Sequence, residues 1–372
     1  MIHEDGELSG NADKSLSAKS ILFTGGGSAG HVTPSFSLIQ MLKNKGATIF
    51  YVGSKEGIER SLVAALNIPY YAVTTGKLRR YWSWQNFLTP FQLVFGVMQS
   101  FLLCRRLKPN IIFSKGGFVA LPVVIAAWLN RIPVVIHESD LTPGLANRLS
   151  FPFAKFICVT FPVSAKYFKN KDKILVTGVP IRESLYQGDR NKGLRFCGFN
   201  EEKPVLLIMA GGLGSVDINN MVRRLLVPLT SKFQVIHLCG KGKLDDHFSN
   251  IPDYKQFEYL HEELADVLAS ADLVISRAGA TSIYELIALK KPHILLPLSK
   301  QASRGDQIKN ADYFAQQGLS TVLYAEAFSD EKFLRAIFDC YANLEAIKNK
   351  LANFKHLDSS RLIVDKLVAL SK

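Results

Sequence analysis

Residues 272–307 read DLVISRAGATSIYELIALKKPHILLPLSKQASRGDQ. An apolar run, Leu273–Ser276, is followed by the small-residue turn Arg277-Ala278-Gly279-Ala280. A helical pattern then runs from about Thr281 to Leu289, followed by a second apolar run, His293–Leu298, and a polar loop with Arg304, Asp306 and Gln307. A strand that turns tightly into a helix presents free backbone N–H groups and the positive end of the helix dipole, which together suit an anion. Glu285 lies one helical turn beyond Thr281, so its carboxylate faces the same end. A carboxylate there accepts from two hydroxyls at once, as a ribose diol requires. The stretch reads as a pocket for phosphate plus sugar.

The same pattern recurs on both sides of it. Upstream, Val205–Met209 runs into Ala210-Gly211-Gly212-Leu213-Gly214-Ser215, and Val235–Leu238 ends in Cys239-Gly240-Lys241-Gly242. A short strand is expected at Glu258–Leu260 before a helix over Glu262–Ser270, another near Ser320–Leu323, and then two helices, the last over Ser360–Leu370. In the first half, Ile21–Phe23 enters Gly25-Gly26-Gly27-Ser28-Ala29-Gly30-His31, with a helix over Pro34–Lys45 and a strand over Thr48–Val52. Gly25, Gly27 and Gly30 match a dinucleotide fingerprint by spacing, with Glu56 loosely where a ribose-binding acid would stand. A turn needed only for close strand–helix packing explains them equally well. Ile111–Phe113 enters Ser114-Lys115-Gly116-Gly117-Phe118 before a helix over Val119–Leu129. Pro133–Ile136 ends in His137-Glu138-Ser139-Asp140, either ligand-binding residues at a strand end or loop caps, and Ile157–Val159 and Ile174–Val176 continue the series. The expectation is an α/β chain of two Rossmann-like, doubly wound parallel-sheet domains whose glycine turns face a central cleft. The boundaries read as a disordered extension over 1–20, an N-terminal domain over 21–180 and a C-terminal domain over 181–352. A last helix, over 353–372, is expected to pack back on the first domain.

The chain's 372 residues exceed one ordinary core, which agrees with two domains. A formal net charge of +13 points to an anionic partner: nucleic acid, anionic lipid or a phosphorylated substrate. Five scattered cysteines without a CxxC pair fit a reducing compartment and argue against a zinc site. The first twenty residues lack the apolar run of a signal peptide. Between residues 60 and 137 no acidic side chain occurs, and within that span KLRRYWSWQNFL (Lys77–Leu88) interleaves Lys77, Arg79 and Arg80 with Trp82, Trp84, Phe87 and Leu88. That composition suits a membrane interface, though core packing explains the aromatics too, and no nucleic-acid motif accompanies it. Phe87–Cys104 is apolar but interrupted by Pro90, Gln92, Gln99 and Ser100, so a buried helix or a shallow membrane contact is expected rather than a span.

Helix N-termini, Arg182, Arg277 and Glu285, with no DxD-like acidic pair, suit a nucleotide diphosphate neutralised by the protein itself, with no metal and no cofactor required. A transferase also needs a base for the acceptor hydroxyl. His31, just before a helix, is the candidate, although its position suits acceptor binding as well; Glu138 is the alternative.

Six blocks in order, FTGGGSAGHVTP (Phe23–Pro34), SKGGFVALP (Ser114–Pro122), HESDLTPGLANR (His137–Arg148), GVPIR (Gly178–Arg182), SRAGATSIYEL (Ser276–Leu286) and SRGDQIKNA (Ser303–Ala311), resemble the bacterial MurG family of GT-B glycosyltransferases. The resemblance covers essentially all of Ser20–Lys372. It implies that Glu285 binds the uridine ribose and that Arg277, Gly279, Ala280, Thr281 and Ser282 line the diphosphate and sugar. Gly212, Gly214 and Ser215 join the donor side, with Arg182 near the phosphates, Asp306 and Gln307 on the sugar hydroxyls, and His261 and Leu264 on uracil. Gly27, Ser28, Gly30, His31, Gly116, Gly117, Glu138, Asp140 and Asn147 would form the acceptor side, and Lys77–Leu88 would meet the inner leaflet. Gly212, Asp306 and Leu260 depart from residues common in the family, which touches donor grip and not the reaction class.

The implied activity is inverting transfer of N-acetylglucosamine from UDP-N-acetylglucosamine to the 4-hydroxyl of the muramyl sugar of lipid I, forming lipid II in peptidoglycan synthesis. The implied setting is peripheral, on the cytoplasmic face of the bacterial plasma membrane. Expected partners are the donor, lipid I and anionic inner-leaflet lipids, not nucleic acid, with other cell-wall enzymes left open. The competing readings are a nonhydrolysing UDP-N-acetylglucosamine epimerase or glycolipid glycosyltransferase of the same architecture, a nicotinamide-dependent dehydrogenase, and a non-catalytic basic binding protein.

Overall fold

The computed structural model describes residues 19–76, 85–211, 214–300, 303–324 and 329–371, without side chains at 29 and 85–88. The chain divides into two compact units: Met1–Glu138 with Pro143–Pro180 and Asp358–Lys372, and Ser139–Thr142 with Ile181–Leu357.

The first unit is built on β1 (Ser20–Thr24), β2 (Thr48–Gly53), β3 (Tyr70–Ala72), β4 (Ile111–Ser114), β5 (Val134–Glu138), β6 (Phe156–Val159) and β7 (Ile174–Val176). They form one parallel sheet in the order 3-2-1-4-5-6-7. Its helices are α1 (Pro34–Asn44), α2 (Ile58–Ala64), α3 (Gln85–Leu107), α4 (Ala120–Leu129) and α5 (Leu145–Ser150). The second unit has α6 (Arg190–Cys197), β8 (Val205–Met209), α7 (Val216–Arg224), α8 (Leu226–Thr230), β9 (Gln234–Leu238) and β10 (Tyr254–Phe257). It continues with α9 (Leu264–Ser270), β11 (Leu273–Ser276), α10 (Ala280–Ala288), β12 (His293–Leu295), α11 (Asp306–Ala315) and β13 (Thr321–Val322). Its parallel sheet has the order 10-9-8-11-12-13, and α12 (Asp330–Ala342) and α13 (Leu344–Asn353) complete it; α14 (Ser359–Leu370) belongs to the first unit.

Uninterrupted apolar strands such as Ile111–Ser114 are buried along their whole length, as a sheet covered on both faces requires. Alternation divides each strand between two layers. Ile21 and Phe23 pack with Leu38 and Leu42 of α1 and with Ile363, Val364 and Leu367 of α14. Leu22 points the other way, to Val123 and Val124 of α4. In the second unit Leu206, Ile208, Leu273 and Ile275 meet Ile218 and Val222 of α7 and Phe333 and Ile337 of α12.

Two local expectations change, and one of two open readings is removed. The strand expected at Glu258–Leu260 lies instead at Tyr254–Phe257, because the ladder with β9 pairs Tyr254 with Val235 and ends at Phe257 with Leu238. Three helices close the chain instead of two: Asn343 caps α12, and Leu344 starts α13 directly after it. Of the two readings of α3, the buried helix falls away: Phe91, Val94, Phe95, Met98 and Leu102 form an apolar face that is 49–75% exposed.

Because Leu367 is completely buried against the β1–β4 layer, Leu367→Ala removes packing from the core of the first unit. It should lower stability by about 3 kcal/mol in denaturant titration. Unchanged unfolding would contradict the placement of α14.

Candidate functional site

In both sheets chain order reverses between two central strands, β1 and β4 in the first unit and β8 and β11 in the second. Loops leaving the carboxyl ends of such strand pairs diverge, and the crevice between them is where open α/β sheets take ligands. The glycine turns of the sequence occupy these four positions.

In the second unit the loop after β8 ends at Gly214, with φ +65°, where a Cβ would lie 1.8 Å from the Cys239 carbonyl oxygen, so only glycine fits. Ser215 precedes α7 without capping it; its hydroxyl accepts instead from the Arg277 guanidinium at 2.9 Å. A second Arg277 nitrogen donates to the Leu296 carbonyl at 3.2 Å, and burial lowers the guanidinium pKa against the opposing charge of Asp217. Gly279 starts α10 with no side-chain cap, and a Cβ there would meet only the Ser282 hydroxyl, at 4.0 Å. The first turn of α10, with Ala280, Thr281 and Ser282, thus keeps its N–H groups for a ligand. One turn on, Glu285 Oε1 accepts from Arg182 Nε and pairs with its Nη2, both at 3.1 Å. Burial raises the Glu285 pKa, and the Arg182 charge and hydrogen bond oppose the rise. The carboxylate expected to be open to a ribose is therefore already paired through one oxygen; among the described residues Oε2 accepts nothing.

Beside them lies a polar cluster. Arg304 pairs with Asp306 at 3.1 Å and Asp140 at 3.6 Å, and Asn310 donates from Nδ2 to Asp140 at 3.0 Å while its Oδ1 accepts from the Leu141 N–H. Asp306 Oδ1 is buried without a hydrogen-bond partner among the described residues, and Gln307 Oε1 accepts from the Leu298 N–H at 3.1 Å. Asp140 was expected with the acceptor residues; its segment, Ser139–Thr142, belongs to the second unit, where Arg304 and Asn310 hold it. Asn310 was not singled out in the sequence. Its signal is an asparagine one turn after Asp306 on the same face of α11. His261 is exposed, its ring 4.8 Å from that of Tyr259, and Leu264 begins α9.

In the first unit the loops after β1 and β4 touch: a Cβ on Gly117 would lie 2.3 Å from the Gly26 carbonyl oxygen. Gly27, Gly116 and Gly117 all have positive φ. His31 Nδ1 is 3.3 Å from the Gly26 carbonyl and 3.2 Å from the Ser28 hydroxyl. A carbonyl only accepts, so the contact with Gly26 is a hydrogen bond in the tautomer that carries its proton on Nδ1. Glu138, buried at the end of β5, accepts from the Gly144 N–H at 3.1 Å and from Asn147 Nδ2 at 2.8 Å. Asn147 in turn packs so closely on Gly116 that a Cβ there would be 2.4 Å from its Oδ1. His137 is wholly buried, donates from Nε2 to the Gly178 carbonyl at 2.8 Å, and is kept neutral by burial and by the charge of Lys115.

The dinucleotide fingerprint loses its physical basis: Gly30 has open space where a Cβ would be, and Glu56 is exposed. The carboxylate that reaches the first glycine loop is Glu59, completely buried, accepting from the Gly27 N–H at 3.2 Å. Its sequence signal was a charge on the inner face of α2, four residues before buried Val63. Gly212 and the patch residues Lys77, Arg79, Arg80, Trp82 and Trp84 lie outside the described residues, as do the side chains of Phe87 and Leu88. The apolar face of α3 follows that patch in sequence and ends in Arg105 and Arg106. No helix among the described residues is long and apolar enough to cross a membrane.

Residues 21–159 match the glycosyltransferase family 28 N-terminal domain, and residues 205–365 match the glycosyltransferase family 28 C-terminal domain. The chain is 54% identical over 353 residues to the UDP-N-acetylglucosamine–N-acetylmuramyl-(pentapeptide) pyrophosphoryl-undecaprenol N-acetylglucosamine transferase of Legionella pneumophila (strain Paris), covering 95% of this chain and 96% of that protein. It is 49% identical over 346 residues to a Bacillus anthracis protein of the same name numbered 2, covering 93% and 98%. In fold it is similar to the crystal structure of Acinetobacter baumannii MurG, with TM-score 0.72 and 23% identity over 94% of this chain and 99% of that one. It is also similar in fold to a UDP-GlcNAc 2-epimerase from Neisseria meningitidis, with TM-score 0.62 and 14% identity over 94% and 99%.

The raised pKa of Glu285 has a pH signature. The folded chain holds this proton more tightly than the unfolded one, so its contribution to stability is complete below the ordinary carboxylate pKa and is lost as pH rises through the folded value. Glu285→Gln removes that loss, and thermal unfolding should show the variant gaining on the wild type between acid and neutral pH. A constant gap across that window would contradict the assignment.

Proposed function

The chain belongs to the MurG family within glycosyltransferase family 28, and we propose that it transfers N-acetylglucosamine from UDP-N-acetylglucosamine to the 4-hydroxyl of the muramyl sugar of lipid I, forming lipid II. The observation that carries this reading is identity along nearly the whole chain to proteins that bear the name of that transferase.

The local chemistry supports it. The uncapped first turn of α10 and the N-terminus of α7, linked by Arg277, offer fixed dipoles and a partly buried cation to a diphosphate. As the bond from the anomeric carbon to the diphosphate oxygen breaks, charge grows on the leaving group, and groups already oriented toward it stabilise it without reorganising. Glu285, with Oε2 available and Oε1 held by Arg182, receives the ribose hydroxyls. Asp306, with a buried carboxylate oxygen in need of a donor, receives a hydroxyl of the sugar. On the acceptor side the 4-hydroxyl attacks the anomeric carbon from the face opposite the leaving group, inverting it, and gives its proton to a base. His31 is placed for that role at the first glycine loop, where its ring turns Nδ1 toward the Gly26 carbonyl. Glu138 is already engaged by Gly144 and Asn147 and orders the acceptor loop instead.

The lipid acceptor places the work at a membrane surface. The exposed stripe of Phe91, Val94, Phe95, Met98 and Leu102, with Arg105 and Arg106 at its end, supports shallow insertion among anionic headgroups.

Wild-type protein given labelled UDP-N-acetylglucosamine and a lipid I analogue should place label in the lipid product. Glu285→Ala should lower kcat/KM for the donor by on the order of a hundredfold, from a lost part-buried ion pair and ribose contact. No transfer by the wild type, or full activity in the variant, would refute the reading. In vesicle sedimentation, Phe91→Ser with Met98→Ser should weaken binding to anionic vesicles about tenfold or more while sparing transfer to a short-chain acceptor. Undiminished vesicle binding would remove α3 from the membrane contact.

A further inference from the structure

We propose that Glu59 is a positioning residue for the base, acting on His31 through the single peptide plane between Gly26 and Gly27. The proposal rests on the reading of His31 as the base that accepts the proton of the acceptor hydroxyl.

Glu59 is completely buried, yet no ion pair to it exists among the described residues. Its Oε1 accepts from the Ser54 N–H at 2.9 Å and from the Ser54 hydroxyl, and its Oε2 accepts from the Gly27 N–H at 3.2 Å. The chain closes on the side chain at three glycines: a Cβ at Gly26, Gly53 or Gly57 would come within 2.6, 2.9 or 2.2 Å of it. Tyr70 donates to the Ser54 carbonyl at 2.6 Å and Tyr51 to the Gly25 carbonyl at 2.9 Å, tying both flanks of the cage to the sheet. A carboxylate held in this way costs folding energy that a neutral side chain would not, so its retention calls for a task that needs the charge.

The task follows from peptide geometry. In a trans peptide the C=O of one residue and the N–H of the next point in opposite directions within one plane, and the chain has no cis peptide among its described residues. The Gly26–Gly27 plane directs its N–H to Glu59 and its C=O to His31 Nδ1. Anchoring the N–H on an anion therefore aims the carbonyl at the imidazole. It also polarises the amide, which makes that carbonyl a stronger acceptor for Nδ1–H. The result is the arrangement in which a carboxylate orients a catalytic histidine and fixes its tautomer, with a peptide unit standing between the two.

Glu59→Gln separates this role from simple packing. Its one oxygen satisfies two donors if it faces Ser54 and one if it faces Gly27, so the amide nitrogen turns to Gly27 and the link to the peptide plane is lost. In transfer assays kcat should fall on the order of tenfold or more, with UDP binding by calorimetry and the KM for the donor unchanged. The decisive arm is a double-mutant cycle: in a His31→Ala background, Glu59→Gln should cost nothing further. An additive loss in that background, or wild-type kcat in Glu59→Gln, would overturn the proposal. A His31→Ala variant with full activity would overturn it along with the base assignment, whereas absence of transfer by the wild type would instead strike at the transferase reading itself. Should Glu59→Gln not fold, ring 15N shifts of His31 in the wild-type protein carry the test. Nδ1–H with unprotonated Nε2 is expected, and the reverse tautomer overturns the proposal.

Discussion

Two parallel strands cannot be joined by a tight turn; each connection must cross the sheet and return. That constraint governs both units here. Among the described residues thirteen strands form two parallel sheets, and every strand ends at the same edge of its sheet, where the helix that follows it starts. Reversal of strand order between β1 and β4, and between β8 and β11, opens a crevice in each unit. Glycines at 27, 116, 117 and 214 let the backbone turn within those crevices at positive φ. The donor chemistry proposed at α10 and the acceptor chemistry proposed at the loop before α1 would thus be two uses of one topological device.

Charge is then spent against stability at the same places. Glu59 and Lys115 are fully buried and Glu138 nearly so, at the glycine loops of the first unit. In the second, burial raises the Glu285 pKa and lowers that of Arg277, each shift opposing its charged form. A sheet of this kind does not need these ions to fold, since its layers close on side chains such as Phe23, Phe113, Leu206 and Ile275. Ions taken out of water at crevice loops are the sites at which the proposed binding and proton transfer would be prepared.

Much of this was legible in the sequence because it is local. Strand, glycine turn and helix follow one another within about ten residues, and Glu285 is tied to the α10 N-terminus by helical spacing alone. What escaped depends on tertiary pairing. Glu59 reaches Gly27 across 32 positions, and Asp140 leaves the residues beside it in sequence to join Arg304 and Asn310. The β10 strand was displaced because its boundaries come from the ladder with β9 and not from its own composition, where Lys255 and Gln256 dilute the apolar run. Glu56 drew attention by its spacing from the glycines, yet the inner face of α2 presents Glu59.

The central claim is that the nucleotide diphosphate is held at the N-termini of α10 and α7 in the second unit, leaving the glycine loops of the first for the acceptor. Hydrogen–deuterium exchange with and without UDP tests it most directly, because the amides that would hold the diphosphate are the ones that exchange. The account predicts slowed exchange at Gly279–Ile283 and Gly214–Asp217, with the Gly25–His31 loop unchanged by UDP alone. Protection of Gly25–His31 by UDP, with α10 unaffected, would contradict it.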